Sequence, residues 1–286
     1  MTVPAQNSGP TTAETINQPR RLIVTVYALY ARDTDNWLSV SSIVRLLGQL
    51  GVDEPAVRSS ISRLKRRGLL VSTKVNGAAG YSLSESALDI IREGDRRIFH
   101  RTRATLDAGW LLAVFSIPES EREKRHAMRT MLSRLGFGTA APGVWIAPAH
   151  LHDEAAEALS RSGLAQFVDL FQATHVAFGD LGDKVAQWWD LDQLHDLYAD
   201  FIDRYEPLRA RNRRRRRIPP EEAFTGYVHV LTTWRRLPYL DPGLPLELLP
   251  ADWNGARAAE LFDWLQRSLV DPAHDYARSI IADSVG

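Results

Sequence analysis

Arginine and serine side chains at helical spacing form the most chemically informative pattern in this chain. The segment 54–68, EPAVRSSISRLKRRG, places Val57, Ile61 and Leu64 on one face when it is wound at about 100° per residue. Polar and basic residues occupy or flank the opposite face: Arg58, Ser59, Ser62, Arg63, Lys65, Arg66 and Arg67. Small side chains permit close approach, and guanidinium groups can contact base edges or phosphates. This face therefore predicts binding in the major groove of double-stranded DNA.

A charged, solvent-exposed face on a helical hairpin is the alternative interpretation. Against it, Lys65, Arg66 and Arg67 have no acidic neighbours, whereas ordinary exposed helices mix charges of both signs. A face that docks into a protein groove would carry apolar anchors, where this one has serines and an arginine. DNA is thus the favoured partner, and the alternative is a non-DNA interaction protein or an enzyme whose basic helix binds a protein.

The flanking segments predict the elements that position this helix. The preceding segment has apolar residues at helical spacing between positions 38 and 50, and its candidate N-caps are Ser39, Ser41 and Ser42. Ser41 and Ser42 are also candidate phosphate contacts. Gly51 is expected to end that helix, and Asp53 to cap the basic one. Next, LLVSTKV and YSLS flank an Asn/Gly turn that predicts a hairpin, with Lys74 near its tip. This order predicts a winged helix-turn-helix.

The 286 residues are enough for two or three domains, and the fold class that we expect is α+β. Residues 1–19 are polar and proline-containing, which predicts a disordered tail, and residues 20–106 are expected to form the winged helix-turn-helix domain. Within that domain, residues 20–32 favour a helix, although their β-branched residues would permit a strand, and residues 85–106 predict a long linker helix.

The remaining sequence changes in period twice. Residues 107–180 read as β-α-β-α-β with short connections, which predicts a ferredoxin-like α/β sandwich. Residues 181–286 are mainly helical. They are interrupted by residues 241–255, DPGLPLELLPADWNG, whose prolines and glycines predict an irregular ordered loop.

Composition limits the function classes. Net charge is zero, yet residues 1–106 carry 15 basic against 9 acidic side chains, and the rest is acidic. A basic N-terminal third suits a DNA-binding head on a body that does not bind DNA. The absence of cysteine excludes disulfides and thiolate-held metals. No apolar run of about 18 residues occurs and residues 1–19 lack a signal core, so we expect a cytoplasmic protein without a membrane span.

Three other groups of residues carry competing interpretations. His150, His152, Asp153 and Glu154 could hold a metal, but acids in a first helical turn ordinarily complement the helix dipole, so no metal is expected. The run Arg213–Arg217 could contact nucleic acid, the phosphates of an anionic effector, or only solvent and neighbouring acids. Aromatic residues of the C-terminal third could line an apolar pocket or simply form the core.

No enzyme signature is found. A metal-dependent nuclease needs carboxylates to hold its ion, and the apolar strand segment WLLAVFSIP has none. Neither a glycine-rich phosphate loop nor a G-x-S-x-G elbow is present. We therefore expect no catalytic residues and no cofactor.

Several motifs together resemble the PaaX-type transcriptional regulators, a family named for the phenylacetate-degradation repressor. The C-terminal signature is supplied by Asp241-Pro242-Gly243-Leu244-Pro245, Leu248-Leu249-Pro250 and Trp253-Asn254-Gly255. The segments RRLIVTVYALY, WLSVSSIVRLLGQLGV, VRSSISRLKRRGLL and PGVWIAP also look like family counterparts, so the resemblance covers roughly residues 20–270. The wing, NGAAGYSL, departs from the family because it lacks a basic turn, which leaves Lys74 as its one cationic contact.

The resemblance implies a winged-helix head, a central domain similar to the small CRISPR adaptation nuclease, and a helical C-terminal domain. It also implies a homodimeric repressor that an arylacetyl thioester of coenzyme A releases from DNA. We therefore expect a metabolite-responsive repressor of a catabolic or transport operon that binds a near-palindromic operator. The expected site of an acyl-coenzyme A effector is the junction of the central and C-terminal domains, at Trp234, Arg235, Arg236 and Trp253.

Overall fold

The computed structural model describes residues 18–176 and 178–283, and the chain groups into two compact units. One unit contains Met1–Gly94, Arg204–Trp234 and Glu260–Gly286, and the other contains Asp95–Asp203 and Arg235–Ala259. The first unit thus combines the N-terminal region with parts of the C-terminal third. Residues 1–17 of the expected tail lie outside the described residues, and the first helix begins at Pro19.

The first unit begins with helices that surround a small sheet. Its helices are α1 (Pro19–Tyr30), α2 (Val40–Gln49), α3 (Glu54–Arg66) and the start of α4 (Glu85–Phe99). Its strands are β1 (Trp37–Ser39), β2 (Leu70–Val75) and β3 (Ala78–Leu83), arranged antiparallel in the order β1-β3-β2. The helix predicted for residues 20–32 is therefore confirmed, as is the hairpin. The three-residue strand β1 was not predicted, because the spacing of Leu38 and Val40 also suits the start of the next helix.

Close packing beneath β3 explains why β1 can pair there. The ring of Trp37 is 5% exposed, and its indole N–H donates to the Thr73 carbonyl at 3.2 Å. A Cβ added at Gly80 would overlap this ring and the Leu38 carbonyl. Gly80 is therefore required for the close approach of β1, in accordance with the use of glycine in strands where another backbone comes near.

Helices from the C-terminal third pack on α1 within the first unit. These are α9 (Pro220–Trp234) and the later part of α11 (Asn254–Ala282). The hydroxyls of Thr25 and Thr232 are buried and hydrogen-bonded to each other at 2.8 Å. The Tyr30 ring lies 5.5 Å from the Phe224 ring and 5.0 Å from the His274 ring, centroid to centroid. The N-terminal region therefore shares one hydrophobic core with the C-terminal helices.

The second unit is built around a four-stranded antiparallel sheet. The elements follow as β4 (Trp110–Phe115), α5 (Arg122–Arg134), β5 (Gly138–Ala141), β6 (Val144–Pro148), α6 (His152–Arg161) and β7 (Val168–Ala173), and the strand order is β5-β6-β4-β7. Apolar side chains of β4, such as Leu111 and Phe115, form one core with Met128 and Leu132 of α5 and Leu159 of α6. The observed order is β-α-β-β-α-β, so the expected β-α-β-α-β pattern missed β5.

Helices complete both units. They are α7 (Leu181–Trp188), α8 (Leu191–Arg213) and the one-turn α10 (Leu237–Leu240), in addition to α9 and α11. Boundaries between the units fall within α4, α8 and α11. Residues 241–245 are buried without regular structure, which confirms the expected irregular ordered loop. The α+β class is confirmed, and in the described part of the chain no helix is long and apolar enough to cross a membrane.

Candidate nucleic-acid interface

Helix α3 has well-defined ends and a buried face. The Asp53 carboxylate accepts from the Ala56 backbone N–H at 2.7 Å, and Pro55 occupies the first turn, where no helical hydrogen bond is lost. Val57, Ile61 and Leu64 are at most 3% exposed. Gly68, just beyond the helix, has a φ of +70°, the left-handed conformation that favours glycine. The predicted cap, apolar face and stop are all confirmed.

The opposite face of α3 consists of exposed polar and basic side chains. Exposed residues here are Arg58, Ser59, Ser62, Arg63, Lys65, Arg66 and Arg67. Seven side chains that the sequence pattern grouped together thus share one solvent-facing surface, which we call the α3 basic face. This surface offers hydroxyl and guanidinium groups on a helix whose position is fixed by its buried side.

Some cations of the α3 basic face already have local partners. Arg58 pairs with Glu54 one turn earlier at 2.5 Å, and a guanidinium N–H of Arg63 donates to the Ser60 hydroxyl at 3.1 Å. The Lys65 ammonium lies 5.5 Å from the centre of the Tyr81 ring. An exposed ion pair contributes about 0–1 kcal/mol, so a phosphate or a base edge could replace Glu54 at little cost.

Ser41 and Ser42 at the start of α2 have different environments. Ser41 is exposed, with its hydroxyl 3.1 Å from that of Ser39. Ser42 is fully buried; its backbone N–H donates to the Ser39 hydroxyl at 2.9 Å, and the two hydroxyls are 2.7 Å apart. Ser39 is therefore the N-cap of α2. The expectation that Ser42 contacts DNA is corrected, because its hydroxyl is enclosed and already hydrogen-bonded.

The β2–β3 hairpin carries one charged residue, the exposed Lys74, directly opposite Ala79. Asn76 and Gly77 at the tip both have positive φ, 51° and 83°, as a two-residue hairpin turn requires. Lys74 thus lies two residues before the tip on an extended strand. This is where a cation must be to reach a phosphate backbone beside the groove.

Arginines just beyond α4 serve a different purpose, which sequence reasoning missed. Arg101 forms an ion pair with the buried Asp241, and the Tyr198 hydroxyl donates to the same carboxylate at 2.8 Å. Arg103 lies 3.8 Å from Asp241 and donates to the Leu244 carbonyl at 2.6 Å. We call this group, Asp241 with Arg101, Arg103 and Tyr198, the Asp241 anchor.

The electrostatics of the Asp241 anchor favour the ionised pair. Burial alone would raise the pKa of Asp241, but the guanidinium groups of Arg101 and Arg103 and the Gly243 N–H outweigh it and lower that pKa. Burial and the neighbouring carboxylate raise the pKa of Tyr198, which keeps its hydroxyl protonated as a donor. The signature Asp-Pro-Gly-Leu-Pro thus contains a structural carboxylate that fixes the segment after α4.

Backbone contacts complete the Asp241 anchor. The Ala104 N–H donates to the Gly243 carbonyl at 2.8 Å, and the Gly243 N–H donates to the Asp241 carboxylate at 2.8 Å. Gly243 has a φ of +75°, and a Cβ there would overlap the Thr102 carbonyl. Helix α4, predicted to reach residue 106, ends instead at Phe99 because these residues bind the loop in extended form.

The four expected effector residues are divided between the units. Trp234 belongs to the first unit, where it is 2% exposed and stacked on Phe262 with ring centres 4.6 Å apart. Arg235, Arg236 and Trp253 belong to the second unit. Trp253 is 7% exposed, with its ring centre 5.8 Å from that of Tyr198, and no partner is found for its indole N–H among the described residues.

The histidine and carboxylate cluster after β6 does not form a metal site. His152 contacts Asp153 through Nδ1 at 2.9 Å, while Glu154 pairs with Arg97 at 2.6 Å. Burial, and then the charges of Arg97 and Arg101, lower the pKa of His150. Over residues 18–176 and 178–283, no group of three histidine or carboxylate side chains is arranged to hold a metal ion.

The arginine run after α8 lies in the first unit. Arg215 pairs with Glu222 of α9 at 2.6 Å, so one of the run's charges is offset by a neighbouring acid, as one interpretation expected. Arg213, Arg214, Arg216 and Arg217 are exposed.

Comparisons with known proteins cover nearly the whole described chain. Three family models match in succession: a "PaaX-like protein" over residues 18–87, a "PaaX protein central Cas2-like domain" over residues 103–185, and a "PaaX-like protein C-terminal domain" over residues 189–279. The chain belongs to the PaaX family. The resemblance inferred from the motifs is thereby confirmed.

Individual relatives agree with this assignment. The chain is 29% identical over 249 residues to the transcriptional repressor PaaX of Escherichia coli (strain K12), covering 84% of this chain and 77% of that protein. A solved structure, the uncharacterized protein Rv0674 from Mycobacterium tuberculosis, has a TM-score of 0.55 and 24% identity, and the match covers 91% of this chain and 95% of that one. The second likeness concerns the fold alone. Membership of a family that contains a repressor supports the expectation that the chain is not an enzyme.

Proposed function

We propose that this PaaX-family chain is a DNA-binding transcriptional regulator whose first 94 residues contain a winged helix-turn-helix. The observation that carries the proposal is the α3 basic face. It lies on a capped helix whose other side is fully packed, and the β2–β3 hairpin follows it. A helix presented in this way can enter the major groove, and a hairpin after it serves as the wing. A regulator of this kind acts in the cytoplasm.

Each exposed side chain has a role in this proposal. Arg58, Ser59, Ser62, Arg63 and Arg66 contact base edges, and Ser41, Lys65, Arg67 and Lys74 contact phosphates. Loss of a bidentate arginine–guanine contact is expected to cost about 1–3 kcal/mol of discrimination. Loss of a phosphate contact, as in Lys74→Ala, should weaken binding to all sequences and reduce the salt slope by about 1.

The proposed assembly is a homodimer bound to a near-palindromic operator. One head provides few base contacts, whereas two heads on a two-fold axis bind half-sites one helical turn, or a multiple of it, apart. The β-α-β-β-α-β order and antiparallel sheet of the second unit support a ferredoxin-like assignment for it. Light scattering at micromolar concentration should report a dimer, and a monomer would contradict this part of the proposal.

We propose, from the family resemblance, that an acyl-coenzyme A thioester releases this repressor from a catabolic or transport operon. A ligand changes DNA affinity only if it binds the DNA-competent and DNA-incompetent states unequally. The candidate contacts are Trp234, Trp253, Arg235 and Arg236, and the unpartnered indole N–H of Trp253 supports a role in binding. Calorimetric titration with a panel of thioesters tests this, and heats unchanged by Trp253→Ala and by Arg235→Ala would exclude the site.

An electrophoretic shift on the DNA upstream of the protein's own gene tests the central proposal. We expect a specific shift that survives excess non-specific DNA and weakens steeply as salt rises, because phosphate contacts release counterions. Absence of a specific shift at low salt, with and without acyl thioesters, would refute the proposed function.

A further inference from the structure

The end of α8, the arginine run and α11 enclose a cleft within the first unit. Its volume is about 610 Å³, and the residues that line it include Asn212, Trp264, Asp271 and Asp275 together with several arginines. None of these side chains belongs to the α3 basic face or to the Asp241 anchor. Clefts of about 300–1,000 Å³ are of the size that holds small molecules.

Asn212 has hydrogen-bonding capacity that the protein does not use. It is 4% exposed, and no partner is found among the described residues for either its Nδ2 or its Oδ1 atom. A buried amide without partners is destabilising, so each such group in a folded protein requires an explanation. An asparagine amide presents a donor and an acceptor side by side, the pattern that pairs with N6 and N7 of adenine.

Two side chains on α11 suit the remainder of a nucleoside. The Trp264 ring lines the cleft and is only partly buried, so one face of the indole is available for stacking against a base. Asp271 and Asp275 follow on the same helix, and Asp275 is only loosely paired with Arg278, at 3.7 Å. Carboxylates in nucleotide sites accept hydrogen bonds from ribose hydroxyls.

The arginine run supplies the cations that phosphates need. Arg213, Arg216 and Arg217 line the cleft and are exposed, whereas Arg215 is held by Glu222 at 2.6 Å. Guanidinium groups bind phosphate oxygens in bidentate fashion. The cleft therefore has an amide, an aromatic ring and carboxylates on one side and arginines on the other.

We propose that this cleft binds an adenine nucleotide, either free or as the end of a larger molecule such as coenzyme A. The base pairs with Asn212 and stacks on Trp264, Asp271 and Asp275 hold the ribose, and Arg213, Arg216 and Arg217 hold the phosphates. The inference concerns ligand binding alone, so it stands or fails independently of operator binding.

Isothermal titration of the full chain without DNA tests this proposal. ADP should bind with 1:1 stoichiometry, and inorganic pyrophosphate should bind at least about tenfold more weakly because it lacks the base. A parallel titration with coenzyme A identifies the source of the nucleotide. Tighter binding of coenzyme A assigns the cleft to a coenzyme A derivative, and tighter binding of ADP assigns it to a free nucleotide.

Variants connect the binding to the cleft. Asn212→Leu should weaken ADP binding about tenfold or more while the melting temperature stays equal or rises, since an unpartnered amide is replaced by an apolar group. Arg216→Ala with Arg217→Ala should weaken it comparably. Arg267→Ala is the matched control, because Arg267 is an exposed arginine of α11 that does not line the cleft, and it should leave affinity unchanged.

Three results would overturn the proposal. They are no binding of ADP or coenzyme A, equal affinity for pyrophosphate and ADP, and full affinity in Asn212→Leu. If Asn212→Leu fails to fold, the double arginine variant decides alone, because its side chains are exposed.

Discussion

Two groups of arginines in this chain show how the same side chain can serve opposite purposes. Arg58, Arg63 and Arg66 on α3 point into solvent, and their neighbours offer at most an exposed ion pair or a single hydroxyl. Arg101 and Arg103, after α4, are committed to one buried carboxylate and its loop. The first group is available to a ligand, while the second holds the protein together.

This difference lies in the partners and not in the sequence pattern. Both groups occur in basic stretches at the edge of the N-terminal third. A carboxylate about 140 residues away, Asp241, decides the role of the second group, and nothing near Arg101 in the sequence announces it. If the account is correct, the two groups separate cleanly in experiments: one controls folding stability and the other controls affinity for DNA.

The largest effect on stability is expected for Asp241→Ala. Removal of the carboxylate leaves Arg101 buried without its counter-charge and removes the acceptor of the Tyr198 hydroxyl. Loss of one partner of a buried ion pair costs about 3–5 kcal/mol. Urea denaturation should show this loss in the free energy of unfolding.

Asp252→Ala is the matched control, because Asp252 is an exposed aspartate about ten residues further along the same loop region. Its change should stay within about 0.5 kcal/mol. If Asp241→Ala costs no more than the control, the structural role of the Asp241 anchor is wrong.

Acidification should reveal the same interaction. The Arg101 and Arg103 guanidinium groups overcome the effect of burial and lower the pKa of Asp241 below its ordinary value of about 3.9. Stabilisation from ionised Asp241 is therefore complete above about pH 5 and is lost as the pH falls through the lowered pKa. The stability advantage of the wild type over Asp241→Asn should shrink between about pH 5 and pH 2. An advantage that is independent of pH in this range would show that the charge of Asp241 does not matter.

A pair of glycines tests the loop of the Asp241 anchor. Gly243 and Gly51 have nearly equal φ, +75° and +76°, but an added Cβ at Gly51 meets nothing within 4 Å, whereas at Gly243 it overlaps the Thr102 carbonyl. Gly51→Ala should cost about 1–2 kcal/mol from the left-handed backbone alone. Gly243→Ala should cost about 3 kcal/mol because backbone atoms must also move. Equal melting temperatures for the two variants would disprove the close approach.

Local signals made part of this fold predictable. Asp53, the apolar spacing of Val57, Ile61 and Leu64, and Gly68 defined α3 from the sequence, because caps and periodicity act within a few residues. The turn at Asn76 and Gly77 likewise defined the hairpin. The exposed residues of α3 were found for the same reason, since the face opposite a buried stripe faces solvent.

Elements that depend on distant partners were not predictable in the same way. Strand β5 has only small residues, and it exists because it pairs with β6, where a Cβ at Gly138 would lie 2.8 Å from the Trp189 ring. The end of α4 at Phe99 depends on a loop about 140 residues later. Ser42 looked like a free hydroxyl because its hydrogen bond to Ser39 arises only when α2 forms.

The smallest effect on stability, and the decisive test of the comparison, is expected for Arg58→Ala combined with Arg63→Ala. Both side chains are exposed, so the free energy of unfolding should change by less than about 1 kcal/mol for the pair. The measurement is fluorescence anisotropy with operator DNA at fixed salt, together with thermal melting of the same sample. We predict that specific affinity falls at least about tenfold while the melting temperature stays nearly constant. Retained specific affinity, or a large loss of stability with DNA binding intact, would contradict the assignment of α3 as the DNA-reading helix.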